Sequence, residues 1–251
     1  MIIAVHSYKG GTGKTLISIN LATIYAMKGN RVCLLDMDLR APSLVSTFKN
    51  KKEYWINDYL NRICRIDQVL NDCTPNSIKS GKLFVGLANP STEVIRKMSS
   101  KNRKGEMQVL SCLMDLKSQF AEKTRFDYVI IDTSAGLQYS SINNIVIADL
   151  VLVITSVEKS DLDGTQRMIQ DLYNLFEKKT RIIVNKVPEA IISKKTSLKL
   201  DPIHFPIFDF IPCSCDILRS RGDSIFALKN IEHPFTQKLQ NIAVNIYQQF
   251  Q

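Results

Sequence analysis

The chain has 251 residues, enough to bury the core of one large domain, and its 45% hydrophobic and 23% charged content is that of a soluble globular protein. No apolar run approaches the roughly 18 residues of a membrane span, and the start MIIAVHSYKGG lacks a basic leader and a cleavage site; a cytoplasmic location is expected. A formal charge of +9 favours polyanionic partners such as DNA, anionic lipid or nucleotide, although the charge is spread along the chain.

In chain order, Ile2-Ile3-Ala4-Val5 is a β-branched run that predicts a buried strand. Leu16 to Met27 carries apolar residues at helical spacing, with Gly29-Asn30 as its stop signal. Between them lies Lys9-Gly10-Gly11-Thr12-Gly13-Lys14-Thr15. Three glycines in four positions let successive N–H groups turn inward, forming an anion nest at the positive end of the helix. In such a loop Lys14 reaches the β- and γ-phosphates, and the Thr15 hydroxyl ligates Mg²⁺. A dinucleotide fingerprint fits worse, because Leu16 stands at its third Gly and it has no use for Lys14-Thr15.

The usual Gly five residues before Gly13 is replaced by Tyr8, and Lys9 is a second lysine. This K-G-G-x-G-K-T form resembles the deviant Walker A motif of the MinD/ParA family of dimerising ATPases. The resemblance implies ATP or ADP with Mg²⁺, held by Gly10, Gly11, Thr12, Gly13, Lys14, Thr15 and Leu16. It also implies a homodimer when ATP is bound, in which Lys9 reaches across to the phosphates of the other subunit.

Arg31 to Asp36 reads as a fully buried strand, so the chain opens with a βαβ unit and a parallel sheet. Its carboxyl end delivers Asp36-Met37-Asp38-Leu39-Arg40-Ala41-Pro42-Ser43 to the side of the sheet where ligands sit. By the resemblance Asp38 polarises the attacking water and helps hold Mg²⁺, and Asp36 lies close to the metal shell. Many family members have Pro where Leu39 stands, which implies a different loop shape here.

Residues 44 to 126 are the least legible. Tyr54 to Arg62 predicts an amphipathic helix with Trp55, Tyr59, Leu60 and Ile63 toward the core, and Leu83 to Ala88 another buried strand. Arg96 to Lys104 holds five cations and no acid; it reads as a solvated, mobile loop, with a phosphate-backbone contact as the sharper alternative. Glu106 to Glu122 is a predicted helix with Met107, Leu110, Leu113, Met114, Leu116 and Phe120 at helical spacing.

Phe126 to Asp132 is a second strong signal: an apolar strand ending in an acid, followed by Thr133-Ser134-Ala135-Gly136. Asp132 is then the Walker B carboxylate that holds Mg²⁺ through its water shell. The D-T-x-x-G form resembles the family's second switch, with Gly136 free to move when the γ-phosphate leaves.

Further strands are predicted at Asp149 to Thr155, Thr180 to Lys186 and Pro206 to Pro212, with a helix from Asp161 to Phe176. Asn185 closes one strand with a donor and an acceptor that suit the adenine edge. The resemblance makes it the adenine reader and places the loop after Pro212 over the base. Ser214 stands where the family's acid is expected. Arg219 to Ile225 resembles the family's following R-G-x-x-[IV] turn. Phe235 to Phe250 predicts an amphipathic helix with Phe235, Leu239, Ile242, Ala243, Ile246 and Phe250 on one face; Lys238 is its only cation, which favours core packing over a membrane anchor.

The expected architecture is one doubly wound, mostly parallel β-sheet flanked by helices, a single domain over residues 1–251. Lys9, Lys14 and Asp38 form the expected catalytic set, and Thr15, Asp38 and Asp132 the metal set. In the family such switches position DNA, division machinery or other large cargo. The charge and the tail lean toward DNA, with a protein activator as a further partner and membrane association less favoured. A second reading is a nickel or metal-cluster carrier using Cys213-x-Cys215 across a two-fold axis. The carrier's C-x-x-C after the adenine Asn has no counterpart between Lys186 and Leu200.

Overall fold

The apolar runs become one eight-stranded sheet, seen in a computed structural model that describes residues 1–122, 126–174, 176–189, 205–220, 222 and 224–250. The strands are β1 (Ile2–His6), β2 (Arg31–Met37), β3 (Asn71–Asp72), β4 (Lys82–Gly86), β5 (Tyr128–Thr133), β6 (Leu150–Thr155), β7 (Thr180–Val187) and β8 (Ile207–Pro212). Their spatial order is β3-β4-β2-β5-β1-β6-β7-β8, and only the β3–β4 pair is antiparallel. The chain thus winds from β1 to one edge, returns to insert β5 beside β1, and continues to the other edge.

The described helices are α1 (Lys14–Met27), α2 (Ile56–Leu60), α3 (Thr92–Ser99), α4 (Arg103–Glu122), α5 (Tyr139–Ile147), α6 (Lys159–Met168), α7 (Cys215–Arg219), α8 (Phe226–Lys229) and α9 (Pro234–Phe250). Alternate strand residues point to opposite sheet faces. Ile3, Val5 and Leu34 therefore pack with Ile17, Leu21 and Ile24 of α1 and with Phe235, Leu239 and Ile246 of α9. Ala4, Leu35 and Ile131 face Val109, Leu113 and Leu116 of α4. Each such aliphatic side chain contributes roughly 1.5–3 kcal/mol on burial, which is what holds both layers to the sheet. The tail helix is a core helix, with Tyr25 of α1 donating to the Ala243 carbonyl at 3.4 Å. No described helix is long and apolar enough to cross a membrane.

Several expectations need correction. The helix expected over 54–62 is only Ile56–Leu60; Trp55 precedes it, its N–H held by Asp58 Oδ2 at 2.8 Å. Arg62 then takes a φ of 61°, which turns the chain outward and leaves Ile63 62% exposed. The basic run at 96–104 is helical at both ends, and only residues 100–102 lie between the helices. Arg96 and Lys97 belong to α3 and Arg103 and Lys104 open α4. The corner is fixed by buried Met98 and by Asn102, whose side chain accepts the Gly105 N–H at 3.0 Å.

On α4 the buried face is Val109, Cys112, Leu113, Leu116 and Phe120, whereas Met107 and Met114 are more than half exposed. The helix expected over 161–176 is α-helical only to Met168 and then widens into a π-helical turn at Ile169–Tyr173, which buries Tyr173 against the sheet. The side chain of Phe250, and Arg221 and Asp223 of the predicted 219–225 turn, lie outside the described residues.

Candidate active site

The strand ends of β1, β2 and β5 converge beside the start of α1. Parallel pairing sets Val5 opposite Asp132 and Asp132 opposite Asp36, so an aliphatic sheet delivers its acids to one edge. The loop from 7 to 13 runs into α1, which opens with no side-chain cap and no acid in its first turn. Its first N–H groups, which have no partner within the helix, are left for an anion.

Gly13 is required twice over. Its φ of 98° is a left-handed conformation that side chains avoid, and a Cβ there would collide with the Asn185 amide. Asn185 is 4% exposed, and its Nδ2 donates to the Thr12 carbonyl at 2.7 Å. Lys186, itself at φ 57°, donates to the Gly11 carbonyl at 2.7 Å, so the end of β7 and the glycine loop are tied directly. Gly10 and Gly11 are exposed on the outside of the loop. Leu16 turns its side chain to the core and presents only backbone to the site.

Lys14 is buried at 7% exposure, and its ammonium donates to Ser7 Oγ at 3.0 Å. Among the described residues it has no ion-pair partner. Burial lowers its pKa, partly offset by the charges of Asp132, Asp38 and Asp161. The Ser7 hydroxyl in turn donates to the Lys9 carbonyl. Lys9 reaches sideways, its ammonium donating to Ser160 Oγ and lying 3.5 Å from Glu158 Oε2 at the start of α6.

Asp132 is fully buried, with Thr15 Oγ1 donating to one oxygen at 2.7 Å and Ser18 Oγ to the other at 3.0 Å. Burial raises its pKa to about 6, against the pull of both hydroxyls and of Lys14. Asp36 is also fully buried and sits well above the usual carboxylate range, first through burial and then through Asp132. Its two oxygens accept the N–H groups of Asp38 at 3.3 Å and Leu44 at 3.2 Å. Asp36 therefore anchors the 38–44 loop.

Asp38 is half-buried, and burial raises its pKa against Lys14 and the Ala41 N–H it accepts at 3.2 Å. Leu39, where many family members carry a proline, is 5% exposed and packs into the α4-side core. Beyond the end of β5, Gly136, at φ 83°, donates its N–H to the Ser7 carbonyl at 2.9 Å and joins the 134–136 loop to the glycine loop.

Pro212 ends β8 opposite Val187, two residues beyond Asn185. Ser214 caps α7, accepting the Asp216 N–H at 3.3 Å. Cys213 and Cys215 are exposed free thiols, and among the described residues no group of three or more potential metal ligands stands together.

Sequence reasoning placed Lys14, Thr15, Asp38, Asp132 and Asn185 in one site and overlooked Ser7, Ser18, Ser160 and Lys186. For Ser18 a signal existed, since it follows Thr15 by three residues on one helix face. The residues present fit a nucleotide phosphate with Mg²⁺. A buried ammonium lacking an ion pair, a buried Thr12 hydroxyl oxygen without a hydrogen-bond partner, and the bare start of α1 stand around one loop. The Thr15 hydroxyl and the Asp132 carboxylate adjoin it.

A family model described as an AAA domain matches residues 1–186. The septum site-determining protein MinD of Bacillus subtilis is 30% identical over 210 residues, covering 80% of this chain and 70% of that protein. The MinD of Thermotoga maritima is 29% identical over 255 residues, covering 98% and 87%. In structure, the Pyrococcus horikoshii MinD complexed with Mg-ADP aligns with a TM-score of 0.75 at 19% identity, over 98% of this chain and 95% of that one. With its K-G-G-T-G-K-T loop, its two strand-end acids and its parallel sheet, the chain belongs to the MinD/ParA family of deviant Walker A P-loop ATPases.

Proposed function

We propose that this ATPase is a slow molecular switch whose ATP-bound form is a sandwich dimer and whose hydrolysis step returns it to monomers. The observation that carries this reading is the buried Lys14 ammonium, held by a hydroxyl and under the charges of Asp132 and Asp38 at two strand ends and of Asp161 in α6, without an ion pair to any of them. A desolvated cation of this kind favours a polyanionic ligand, and the backbone nest and the start of α1 add N–H donors to it.

In this reading Gly10 to Leu16 and Lys14 hold the phosphates, Asn185 reads adenine, and the chain after Pro212 flanks the base. Thr15 and Asp132 hold Mg²⁺, with Asp38 close by. The metal supplies charge neutralisation on the transferring phosphoryl group. Asp38 is half-buried on a loop anchored by Leu39 and Asp36, and its carboxylate accepts a hydrogen bond from the attacking water and orients it. Lys9 leaves Ser160 and reaches the partner's phosphates, so binding free energy at the γ-phosphate sets the dimer population. Gly136 exchanges the Ser7 carbonyl for the phosphate, coupling the second switch to the same event.

Cargo follows from surface chemistry. The exposed cations of α3 and α4 and the net charge of +9 favour an anionic partner, and duplex DNA is the one proposed. The test is light scattering with ATP, with ADP and without nucleotide, on wild type and Asp38→Ala. ATP should produce dimers that persist in Asp38→Ala; an unchanged mass with ATP in both proteins would sink the switch.

A further inference from the structure

Ser18 donates a hydrogen bond to Asp132, and the proposed chemistry gives it no task. It lies in α1 one turn beyond Thr15 and is fully buried. Polar side chains inside a helix ordinarily satisfy themselves on the carbonyl four residues earlier. Two others on α1 do so: Asn20 Nδ2 donates to the Leu16 carbonyl and Thr23 Oγ1 to the Ile19 carbonyl, each at 2.8 Å. Ser18 sends its proton elsewhere, to Asp132 Oδ1 at 3.0 Å on a strand 114 residues away.

The two hydroxyls share one helix face, so Thr15 takes Oδ2 and Ser18 takes Oδ1 of the same carboxylate. A carboxylate held at one oxygen only could turn about its Cβ–Cγ bond, and Asp132 has reason to turn, because the buried acid Asp36 is its register neighbour on β2. Held at both, its plane is fixed and Oδ2 stays on the Thr15 side.

We propose that Ser18 is a positioning residue for the divalent cation, fixing the Asp132 carboxylate through Oδ1 and thereby setting metal affinity. The inference rests on the proposed role of Asp132 in holding Mg²⁺. Outer-shell hydrogen bonds to metal-holding carboxylates usually matter by 10- to 100-fold in metal affinity.

The experiment titrates Mn²⁺ into the ADP-loaded full chain and reads the loss of the free-ion EPR signal, with ADP affinity in chelator measured separately. Ser18→Ala should bind Mn²⁺ on the order of 10-fold more weakly, with ADP affinity in chelator unchanged. Ser18→Thr keeps the hydroxyl and should restore binding. Ser18→Cys, similar in size with a weaker donor, carries the test if the alanine variant does not fold. Wild-type Mn²⁺ affinity in Ser18→Ala or Ser18→Cys overturns the inference, and so does an equal loss in Ser18→Ala and Ser18→Thr, which would assign the effect to packing. Asp132→Asn separates the two levels. Retained Mn²⁺ binding there overturns the metal role of Asp132 itself, whereas loss there with wild-type binding in Ser18→Ala overturns only the Ser18 assignment.

Discussion

Lys9 hydrogen-bonds Ser160 of its own chain, so the lysine assigned to a partner subunit is parked on the first turn of α6. The contact is half-exposed, and its ion pair to Glu158 is a surface pair. Such pairs are worth about 0–1 kcal/mol, so release is cheap against a triphosphate.

Lys9→Ala should therefore keep ATP binding through Lys14 and the backbone nest while losing the ATP-dependent dimer. Light scattering beside a nucleotide-binding titration checks both halves. Normal dimerisation with ATP would reduce Lys9 to a surface charge.

Gly13→Ala tests the seam between the phosphate loop and β7. The new methyl meets the Asn185 amide at a left-handed backbone position, and the strain costs about 1–2 kcal/mol before any displacement of Asn185. Expected outcomes are a lower thermal midpoint and a lost ADP-induced stabilisation. Unchanged ADP binding would contradict the geometry.

Asp38→Ala should lower kcat by on the order of 10²–10⁴-fold while leaving ATP affinity near wild type, because it removes a water-orienting group and none of the phosphate donors. Single-turnover hydrolysis separates the two quantities. A parallel loss of ATP affinity would make Asp38 a binding residue.

His6 gives a pH dependence. It is fully buried, with Nδ1 at 2.8 Å from Thr133 Oγ1, and burial followed by the Lys14 charge lowers its pKa from 6.5 to about 3. The unfolded chain takes up a proton below pH 6.5 that the folded chain refuses until about pH 3. Its stabilising contribution is thus complete above pH 6.5 and is lost as pH falls toward 3, at about 1.4 kcal/mol per pH unit. Denaturant midpoints of the nucleotide-free protein should fall through pH 6 to 5 in wild type and fall less steeply in His6→Gln. Parallel slopes in both proteins would remove His6 as the cause.

For DNA, the expected result is ATP-dependent retardation of nonspecific duplex at low salt. Each phosphate contact contributes roughly −0.9 to the slope of log affinity against log salt. Replacing the exposed Arg96, Lys97, Arg103 and Lys104 by Ser should flatten that slope. No retardation with ATP at low salt would exclude this partner.

Short-range rules made most of the site legible. A β-branched run, a glycine cluster and a lysine followed by threonine each act within a few residues, so β1, the loop and α1 could be read directly, and an apolar strand ending in Asp132 likewise. Helical periodicity says that a face is apolar but not how far the core reaches, which is why Ile63, expected toward the core, lies outside, and why Met107 and Met114 share the helical spacing of their neighbours yet are exposed. The basic run from 96 to 104 misled for a related reason: charge describes solvation, whereas buried Met98 and the Asn102 side chain hold a tight corner between two helices that claim most of the run.

What the sequence by itself determined, then, is the set of chemical groups and the strand or loop that carries each. What only the tertiary structure decided is who holds whom. The hydroxyls of Ser7, Ser18 and Ser160 are single short side chains whose partners are set by strand register and helix packing; helical spacing places Ser18 on the face of Thr15, but no local pattern names the partner of any of the three. The distance from Ser18 to Asp132 depends on α1 lying across β5, a relation of residues 114 apart that exists only once the sheet has closed around β1.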